Sequence, residues 1–252
     1  MFFVRSRFRD VVVICGCIFS TYTCGVVRFL WHPRNLQSGG AEGALEAMGE
    51  SVAKIIGDVE VEKISGPSNA ESIKIGSLWE EQGVVIHFLR RFGCRLCRGH
   101  AQELWQIVPT LEASGFRVVS IGIEKYGLEE FQTAGYWKGE LYIDNGKKAL
   151  KALEVPQVSY FTAVKDILMN KDVGRAAKKT KDVPGNFKGD GRQLGATFVI
   201  AKGGEVLLDH RQKNFGDHVS NESILKACGI DPSTVKKELL NPPAPVVCED
   251  TA

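Results

Sequence analysis

The feature that most constrains the fold is a C-x-x-C motif that lies between a strand pattern and a helix pattern. Val84 to Leu89 form a short, nearly continuous apolar run, which is typical of a strand buried on both faces. From Cys94 to Ser114, the apolar residues recur at helical spacing, with an expected kink at Pro109. The motif therefore joins a buried strand to a helix, a context more restrictive than its four residues alone.

Strand and helix patterns alternate along the rest of the body. A strand pattern begins near residue 59, strands are predicted at 116–123 and 140–144, and helices at 128–133 and 147–153. Two later strands, 196–201 and 205–210, are joined by Lys202-Gly203-Gly204, a hairpin signal, and a last helix covers 221–228. This order predicts an α/β fold of thioredoxin-like topology. A mixed central sheet is flanked by helices on both faces and closes with a β-hairpin and a C-terminal helix.

The pattern divides the chain into four parts. Residues 1–31 form a hydrophobic N-terminal segment, 32–57 a linker, 58–231 the catalytic domain and 232–252 a C-terminal tail. The apolar run from Val11 to Val27 has seventeen residues, the lower limit of the roughly 17–25 that cross a bilayer. A signal anchor, a cleaved presequence and an extension without function remain open, and the anchor would make Val11–Trp31 a membrane tether.

Composition excludes several classes of protein. With 252 residues, 44% apolar and 25% charged, the chain is neither mainly disordered nor a polytopic membrane protein. A net charge of +2 gives no indication of a nucleic-acid partner. Seven cysteines, an odd number, argue against a secreted disulfide scaffold and favour a reducing compartment.

One stretch, residues 156–192, is polar and basic. It holds eight Lys or Arg residues against four Asp residues. We predict a solvated insertion built around one helix, with a docking face for an anionic cofactor or partner as the alternative.

The dithiol motif carries the one dense chemical signal. Cys94 is predicted at the helix N-cap, where unpaired backbone N–H groups and the helix dipole stabilise an anion. Gly93 precedes it, and the nearby arginines Arg91, Arg95 and Arg98 add positive charge; such surroundings lower a thiol pKa. The sequence thus predicts a redox-active pair in which one thiolate attacks and the second thiol closes a disulfide.

Two alternatives to a redox dithiol remain open. A zinc site would need four ligands; His87 and His100 lie near the motif, but a second C-x-x-C is missing, and we predict no metal. The cysteines could also be inert and buried. We predict His87 to be a satisfied core or interface histidine and His100 to lie on the helix surface, with no catalytic role for either.

A longer series of residues resembles a known family. The first part runs Leu89-Arg90-Arg91-Phe92-Gly93-Cys94-x-x-Cys97-Arg98, then Ala101-Gln102-x-Leu104. Further matches follow in one order: Gly139-Glu140-Leu141-Tyr142-Ile143-Asp144, Gly185-Asn186-x-x-Gly189-Asp190, and Gly216-Asp217-x-Val219 before Ile224-Leu225. Residues 58–231 are thereby similar to the prostamide/prostaglandin F synthase branch of the peroxiredoxin-like 2 proteins.

The resemblance implies a thioredoxin-like fold and an oxidoreductase. Its expected reaction is reduction of the lipid endoperoxides prostaglandin H2 and prostamide H2 to their F2α products, with NADPH as electron source. Because Gly189-Asp190-Gly191 is not a dinucleotide fingerprint, we expect electrons to arrive through thioredoxin or a similar dithiol carrier. The resemblance also implies a cytosolic protein, and the signal-anchor alternative would tether it to a membrane by the N-terminal segment.

The two related patterns assign the attacking sulfur differently. The thioredoxin pattern assigns it to Cys94. The peroxiredoxin pattern P-x-x-x-T-x-x-C assigns it to Cys97 and places Arg90 at the proline. We favour Cys94 as the nucleophile, because it is the N-cap thiol, and Cys97 as the resolving cysteine. Thioredoxins also carry a proline where this chain has Gly195-Ala196, and its absence favours a small substrate over a protein.

Overall fold

The computed structural model describes residues 52–64 and 71–240. The predicted N-terminal segment 1–31, the first twenty residues of the predicted linker and the end of the tail from residue 241 lie outside the described residues. Within the described part, no helix is both long enough and apolar enough to cross a membrane.

Strands and helices alternate as the sequence predicts. The strands are β1 (Glu60–Lys63), β2 (Glu71–Lys74), β3 (Gly83–Leu89), β4 (Phe116–Gly122), β5 (Glu140–Ile143), β6 (Ala196–Ile200) and β7 (Val206–Arg211). The helices are α1 (52–57), α2 (Arg95–Trp105), α3 (Val108–Ala113), α4 (Leu128–Thr133), α5 (Lys148–Ala152), α6 (Tyr160–Met169), α7 (Lys171–Lys179), α8 (Asn221–Ala227) and α9 (Lys237–Leu240). Short 3-10 turns occupy Ile75–Trp79 and Pro232–Thr234.

The strands form one mixed sheet in the order β2-β1-β5-β4-β3-β6-β7. β3 pairs in parallel with β4, and β4 with β5, while β6 pairs antiparallel with β3 and with β7. All seven residues of β3 are buried, because the strand is central and is covered on both faces. The predicted α/β fold class of thioredoxin-like topology, with a mixed sheet and a closing hairpin, is confirmed.

Two predicted helical segments differ from the structure. The helix predicted from Cys94 to Ser114 is two helices that separate at Gln106 and Ile107, not one kinked helix. Pro109 lies in the first turn of α3, where its missing N–H leaves no hydrogen bond unmade. The insertion at 156–192 holds two helices, α6 and α7, rather than the single predicted helix.

The packed body extends past both of the boundaries predicted at 58 and 231. On the N-terminal side, Val52 and Ile56 of α1 are buried in the core. On the C-terminal side, Val235 and Leu239 pack against the same core, and the Asn221 side-chain amide donates to the Leu239 carbonyl at 3.0 Å. The core therefore links the ends of the described chain to the central sheet.

Candidate active site

The two motif cysteines lie where the central strand passes into α2. β3 ends at Leu89, and Cys94 is the N-cap of α2 with extended backbone. Cys97 follows in the first turn, one turn from Cys94. Both are free thiols, Cys94 being 6% exposed and Cys97 2% exposed. The predicted placement at the end of a buried strand and the start of a helix is thus present in the structure.

The surroundings of the two sulfur atoms drive their pKa values apart. The thiol of Cys97 donates a hydrogen bond to Cys94 and lowers the pKa of Cys94 well below its usual range, although burial opposes this. The charge of Arg90, the backbone N–H of Cys97 and the charge of Arg91 lower the Cys94 pKa further. The same hydrogen bond, burial and the negative charge of Cys94 raise the pKa of Cys97. Cys94 is therefore the thiolate of the pair and Cys97 the thiol.

Arg90 is a charged residue that contacts the Cys94 sulfur. Its Nη2 donates to Cys94 Sγ at 3.0 Å, and its guanidinium lies 4.4 Å from the ring centroid of Phe215. The side chain is buried, so its interaction with a thiolate is weakly screened by solvent. Sequence reasoning did not select Arg90 as a site residue. The available signal was its position, four residues before Cys94 at the end of an apolar strand, where a buried arginine needs a partner.

The three arginines that the sequence singled out occupy different positions. Arg91 is buried, donates to the Lys188 carbonyl at 3.3 Å and contributes its charge to Cys94. Arg95 is exposed at the start of α2. Arg98 donates hydrogen bonds to backbone carbonyls, those of Phe92 and Pro184. Of these three, Arg91 is the one whose charge lowers the pKa of Cys94.

Arg98 instead holds the backbone around the motif. Its Nε donates to the Phe92 carbonyl at 2.7 Å, and its Nη1 donates to the Pro184 carbonyl and to Glu130, each at 2.8 Å. The guanidinium is fully buried and lies 4.9 Å from the ring centroid of Tyr136. Arg98 therefore ties the turn before Cys94 to α4 and to the loop that follows α7.

Gly93 provides room for that loop. The Asn186 N–H donates to the Gly93 carbonyl at 2.7 Å, and a Cβ atom at Gly93 would collide with the Asn186 side chain. Asn186 in turn donates to Glu130 at 3.0 Å and accepts from the Lys188 N–H at 3.0 Å. The glycine before Cys94 is thus required for the close approach of a segment more than ninety positions away.

A group of histidines lies behind the motif, on α2, β3 and the loop after β7. The ring centroids of His87 and His100 are 4.9 Å apart, and those of His100 and His218 are 4.3 Å apart and stacked. The expectation that His100 lies on the helix surface is wrong, because this ring is buried between its two neighbours. His87 is in the core as predicted, and its Nδ1 pairs with Thr197 Oγ1 at 3.1 Å. The prediction that this histidine is satisfied holds for one nitrogen only, because its buried Nε2 has no hydrogen-bond partner among the described residues.

These histidines are held in their neutral form. Burial lowers the pKa of His87 to about 4. Burial and neighbouring positive groups lower the pKa of His100 and of His218. Within residues 52–64 and 71–240, no three His, Cys, Asp or Glu side chains converge closely enough to hold a metal ion.

The glycine-rich turn at 189–191 packs around a carboxylate. A Cβ atom at Gly189 would collide with Glu124 Oε1, and the Asp190 N–H donates to the same oxygen at 2.9 Å. The Asp190 carboxylate pairs with Lys147 and accepts from Gln157 at 2.8 Å. Because the turn faces a carboxylate rather than an open space, it does not fit the pyrophosphate of a dinucleotide.

A thiolate beside a buried guanidinium, on this fold, defines the class of protein: a thiol-dependent oxidoreductase. The curated relatives include the prostamide/prostaglandin F synthases of Danio rerio and Bos taurus. Each is 41% identical to this chain, over 171 and 172 residues, covering 67% of this chain and 85% of the relative. That of Homo sapiens is 40% identical over 163 residues, covering 64% of this chain and 82% of the relative. The chain belongs to the prostamide/prostaglandin F synthase family, as its motifs predicted.

Two further comparisons gave matches. The family described as AhpC/TSA antioxidant enzyme matches residues 103–214. Among solved structures, reduced 2-Cys peroxiredoxin of Plasmodium vivax is 14% identical, covers 68% of this chain and 76% of that chain, and has a TM-score of 0.46. Peroxiredoxin Q of Xanthomonas campestris is 12% identical, covers 70% of this chain and 91% of that chain, and has a TM-score of 0.47.

Proposed function

We propose that this protein reduces the endoperoxides prostaglandin H2 and prostamide H2 to prostaglandin F2α and prostamide F2α with the dithiol Cys94–Cys97. The observation that carries the proposal is the pairing of a thiolate, Cys94, with a buried guanidinium at 3.0 Å and a hydrogen-bonded thiol. The names of the relatives, prostamide/prostaglandin F synthases at about 40% identity, support the choice of substrate.

The first step breaks the O–O bond. The Cys94 thiolate attacks one endoperoxide oxygen and forms an S–O bond, and the other oxygen leaves as an alkoxide that takes a proton from water. Arg90 hydrogen-bonds the thiolate. Its positive charge therefore lies beside the reacting sulfur and stabilises the negative charge that moves from sulfur to the leaving oxygen. The substrate then remains attached to Cys94 as a sulfenate ester.

The second step releases the product. The Cys97 sulfur attacks Cys94 Sγ, an S–S bond forms, and the second oxygen leaves as an alkoxide that receives the Cys97 proton. The endoperoxide has gained two electrons and two protons and has become a diol, while the dithiol has become a disulfide. Cys97 suits the resolving role because it is the protonated, hydrogen-bonded neighbour of the attacking sulfur.

Electrons return to the disulfide from outside the chain in this proposal. NADPH is the ultimate source, and thioredoxin or a similar dithiol carrier transfers the electrons by thiol–disulfide exchange. The Glu124 carboxylate packed inside the 189–191 turn leaves no fit for a dinucleotide there. This supports transfer of electrons from NADPH through a carrier rather than from NADPH bound at that turn. The reaction needs no metal.

A cycling dithiol needs a reducing supply, and we therefore propose a cytosolic catalytic domain, with Val11–Trp31 as a possible membrane tether. Alkaline carbonate extraction of tagged full-length protein separates a tethered from an untethered chain. Protection of the catalytic domain from protease inside sealed microsomes would refute the cytosolic location.

The test of the reaction is a coupled assay with NADPH, thioredoxin reductase and thioredoxin. NADPH consumption and product formation are measured with prostaglandin H2, with hydrogen peroxide and without an acceptor. Turnover with prostaglandin H2 that forms prostaglandin F2α is the expected result. Absence of turnover on the endoperoxide overturns the proposal.

Two cysteine variants separate the roles of the sulfur atoms. Cys94→Ser is expected to abolish product formation, because a hydroxyl is a poor nucleophile beside a thiolate. Cys97→Ser is expected to give a single burst of endoperoxide consumption and then stop, because without a resolving thiol the cleaved substrate stays attached to Cys94 as a sulfenate ester. Cys228→Ser is the matched control, since burial raises the pKa of this third thiol to about 12. A burst from Cys94→Ser and none from Cys97→Ser would reverse the assignment.

A second candidate function is a general thiol peroxidase that acts on hydrogen peroxide or alkyl hydroperoxides. The match of residues 103–214 to the AhpC/TSA antioxidant enzyme family favours it. The same coupled assay distinguishes the two, because a general peroxidase consumes NADPH with hydrogen peroxide and not with the endoperoxide.

A further inference from the structure

Helix α6 turns its apolar side chains toward solvent. None of its ten residues is buried, and Phe161 and Leu168 are 81% and 77% exposed. The helix has six large exposed apolar residues, and at 3.6 residues per turn all of them except Met169 lie within an arc of about 120°. The residues of this stripe are Tyr160, Phe161, Val164, Ile167 and Leu168. A helix of a globular protein normally packs such a stripe on the core. Here the Arg192 guanidinium lies 4.9 Å from the ring centroid of Tyr160, and the stripe is otherwise an exposed apolar surface of the described chain.

The adjoining helix α7 carries the opposite chemistry. It buries Val173 and exposes Lys171, Arg175 and Lys178, which share one face by helical spacing. Asn170 alone separates α6 from α7. The whole stretch 156–192 has eight basic residues against four acidic ones, a net charge of +4. The helical pair therefore combines an exposed apolar stripe with an excess of positive charge.

The pair is fixed to the helix that carries the dithiol. The Thr180 side chain, at the end of α7, lies where a Cβ atom at Gly99 of α2 would be, and Lys179 Nζ is 2.9 Å from Glu103 Oε2 of the same helix. After α7, the chain passes Gly93 through Asn186 and then exposes the aromatic ring of Phe187. Another exposed apolar ring thus belongs to the loop that crosses the motif.

We propose that helix α6, with the basic face of α7, docks the protein on the surface of a bilayer that contains anionic phospholipid. The charge of 156–192 selects an anionic over a neutral surface, and the apolar stripe supplies the part that enters the headgroup region. At 1.5 Å per residue, α6 is about 15 Å long, half the roughly 30 Å of a hydrocarbon core, so it lies in the interface and does not span. The docking does not depend on the proposed reaction.

The test is hydrogen–deuterium exchange on the full chain with and without lipid vesicles. Vesicles with roughly one-third phosphatidylserine are compared with vesicles of pure phosphatidylcholine. The expected result is slower exchange of amides in 160–169 with the anionic vesicles only. Exchange is measured for each segment, so membrane binding by another part of the chain does not produce protection at α6. The measurement also does not depend on enzyme activity.

Variants of the apolar stripe on α6 and of the basic face of α7 test the contribution of each to binding. Phe161→Ser with Leu168→Ser is expected to abolish the protection, whereas the apolar control Phe161→Leu with Leu168→Ile is expected to retain it. Changing Lys171, Arg175 and Lys178 to Gln is expected to raise the half-saturating lipid concentration by about 100-fold, at roughly fivefold per charge.

Three outcomes overturn the proposal. Equal protection by neutral vesicles removes the requirement for anionic lipid. Protection of 160–169 without vesicles, increasing with protein concentration, assigns the stripe to contact between copies of the chain. Unchanged exchange at 160–169 under all conditions shows that the α6 surface binds neither a lipid bilayer nor a second copy of the chain.

Discussion

Acidification is expected to destabilise the fold through His87. This imidazole lies on the central strand β3, is buried, and packs against His100. Its Nδ1 pairs with Thr197 Oγ1 at 3.1 Å, and its Nε2 has no hydrogen-bond partner among the described residues. A proton added to this ring would place a charge in the core beside neutral aromatic rings, which is unfavourable.

The size of the effect follows from the difference in pKa between the folded and unfolded states. Burial lowers the pKa of His87 from 6.5 to about 4, so the unfolded chain binds more protons between these two values. The free energy of unfolding therefore falls as the pH falls from about 6.5 to about 4, and the stability is regained as the pH rises. At about 1.4 kcal/mol per pH unit, His87 alone accounts for about 3 kcal/mol over this range.

The assay is urea unfolding of the full chain and of His87→Gln, a variant that keeps a hydrogen-bonding group but does not titrate. Between about pH 7.5 and pH 4, the wild-type chain is expected to lose about 3 kcal/mol more than the variant. Carboxylates such as Glu140, whose pKa is lowered to about 2 by its hydrogen bond with Arg117, are common to both chains and cancel in the difference. Parallel pH profiles for the two chains would refute the reasoning.

Three further predictions concern the region around the dithiol. Arg90→Met is expected to lower the thiolate-to-thiol ratio of Cys94 about 10- to 100-fold, because a hydrogen bond to a charged group contributes roughly 1.5–3 kcal/mol. Peptide-resolved alkylation by iodoacetamide across pH measures this, and an unchanged profile would contradict it. Gly93→Ala is expected to displace the Asn186 side chain and reduce stability by about 1–2 kcal/mol, with faster amide exchange at 184–189 as the check. Arg98→Met is expected to cost roughly 1–3 kcal/mol in urea unfolding, because it leaves the buried Phe92 carbonyl without its donor. A loss confined to activity would show that the residue acts otherwise.

The architecture was predictable because local signals and tertiary packing agree along most of the chain. The helix Leu128–Thr133 matches its predicted bounds, and the strands on either side differ by one residue. The insertion at 156–192 was predicted to be solvated, and α6 is indeed unburied, but neither its division into two helices nor the outward orientation of its apolar stripe was predicted. The orientation of such a helix depends on its neighbours in space, which periodicity does not specify.

The positions of the two cysteines of the candidate site were predictable, whereas the charges around them were predictable only in part: Arg91 lowers the pKa of Cys94 as predicted, but Arg90 was not selected. Cys94 and Cys97 are placed by a strand and a helix that the local sequence specifies. By contrast, the contribution of Arg90 depends on side-chain direction and on Phe215, which is 125 positions away in the chain. His100 was placed on the surface because helical spacing alone does not reveal that His87 and His218 cover it.

The pairing of the central strand has a consequence for synthesis on the ribosome. β3 hydrogen-bonds to β4 on one side and to β6 on the other, and His87 and its partner Thr197 are 110 positions apart. Until β6 has been translated, one edge of this buried strand has no partner, and Phe215 is not yet available to pack against Arg90. A nascent chain halted before residue 196 therefore presents an open strand edge, which is prone to aggregation, together with two accessible thiols.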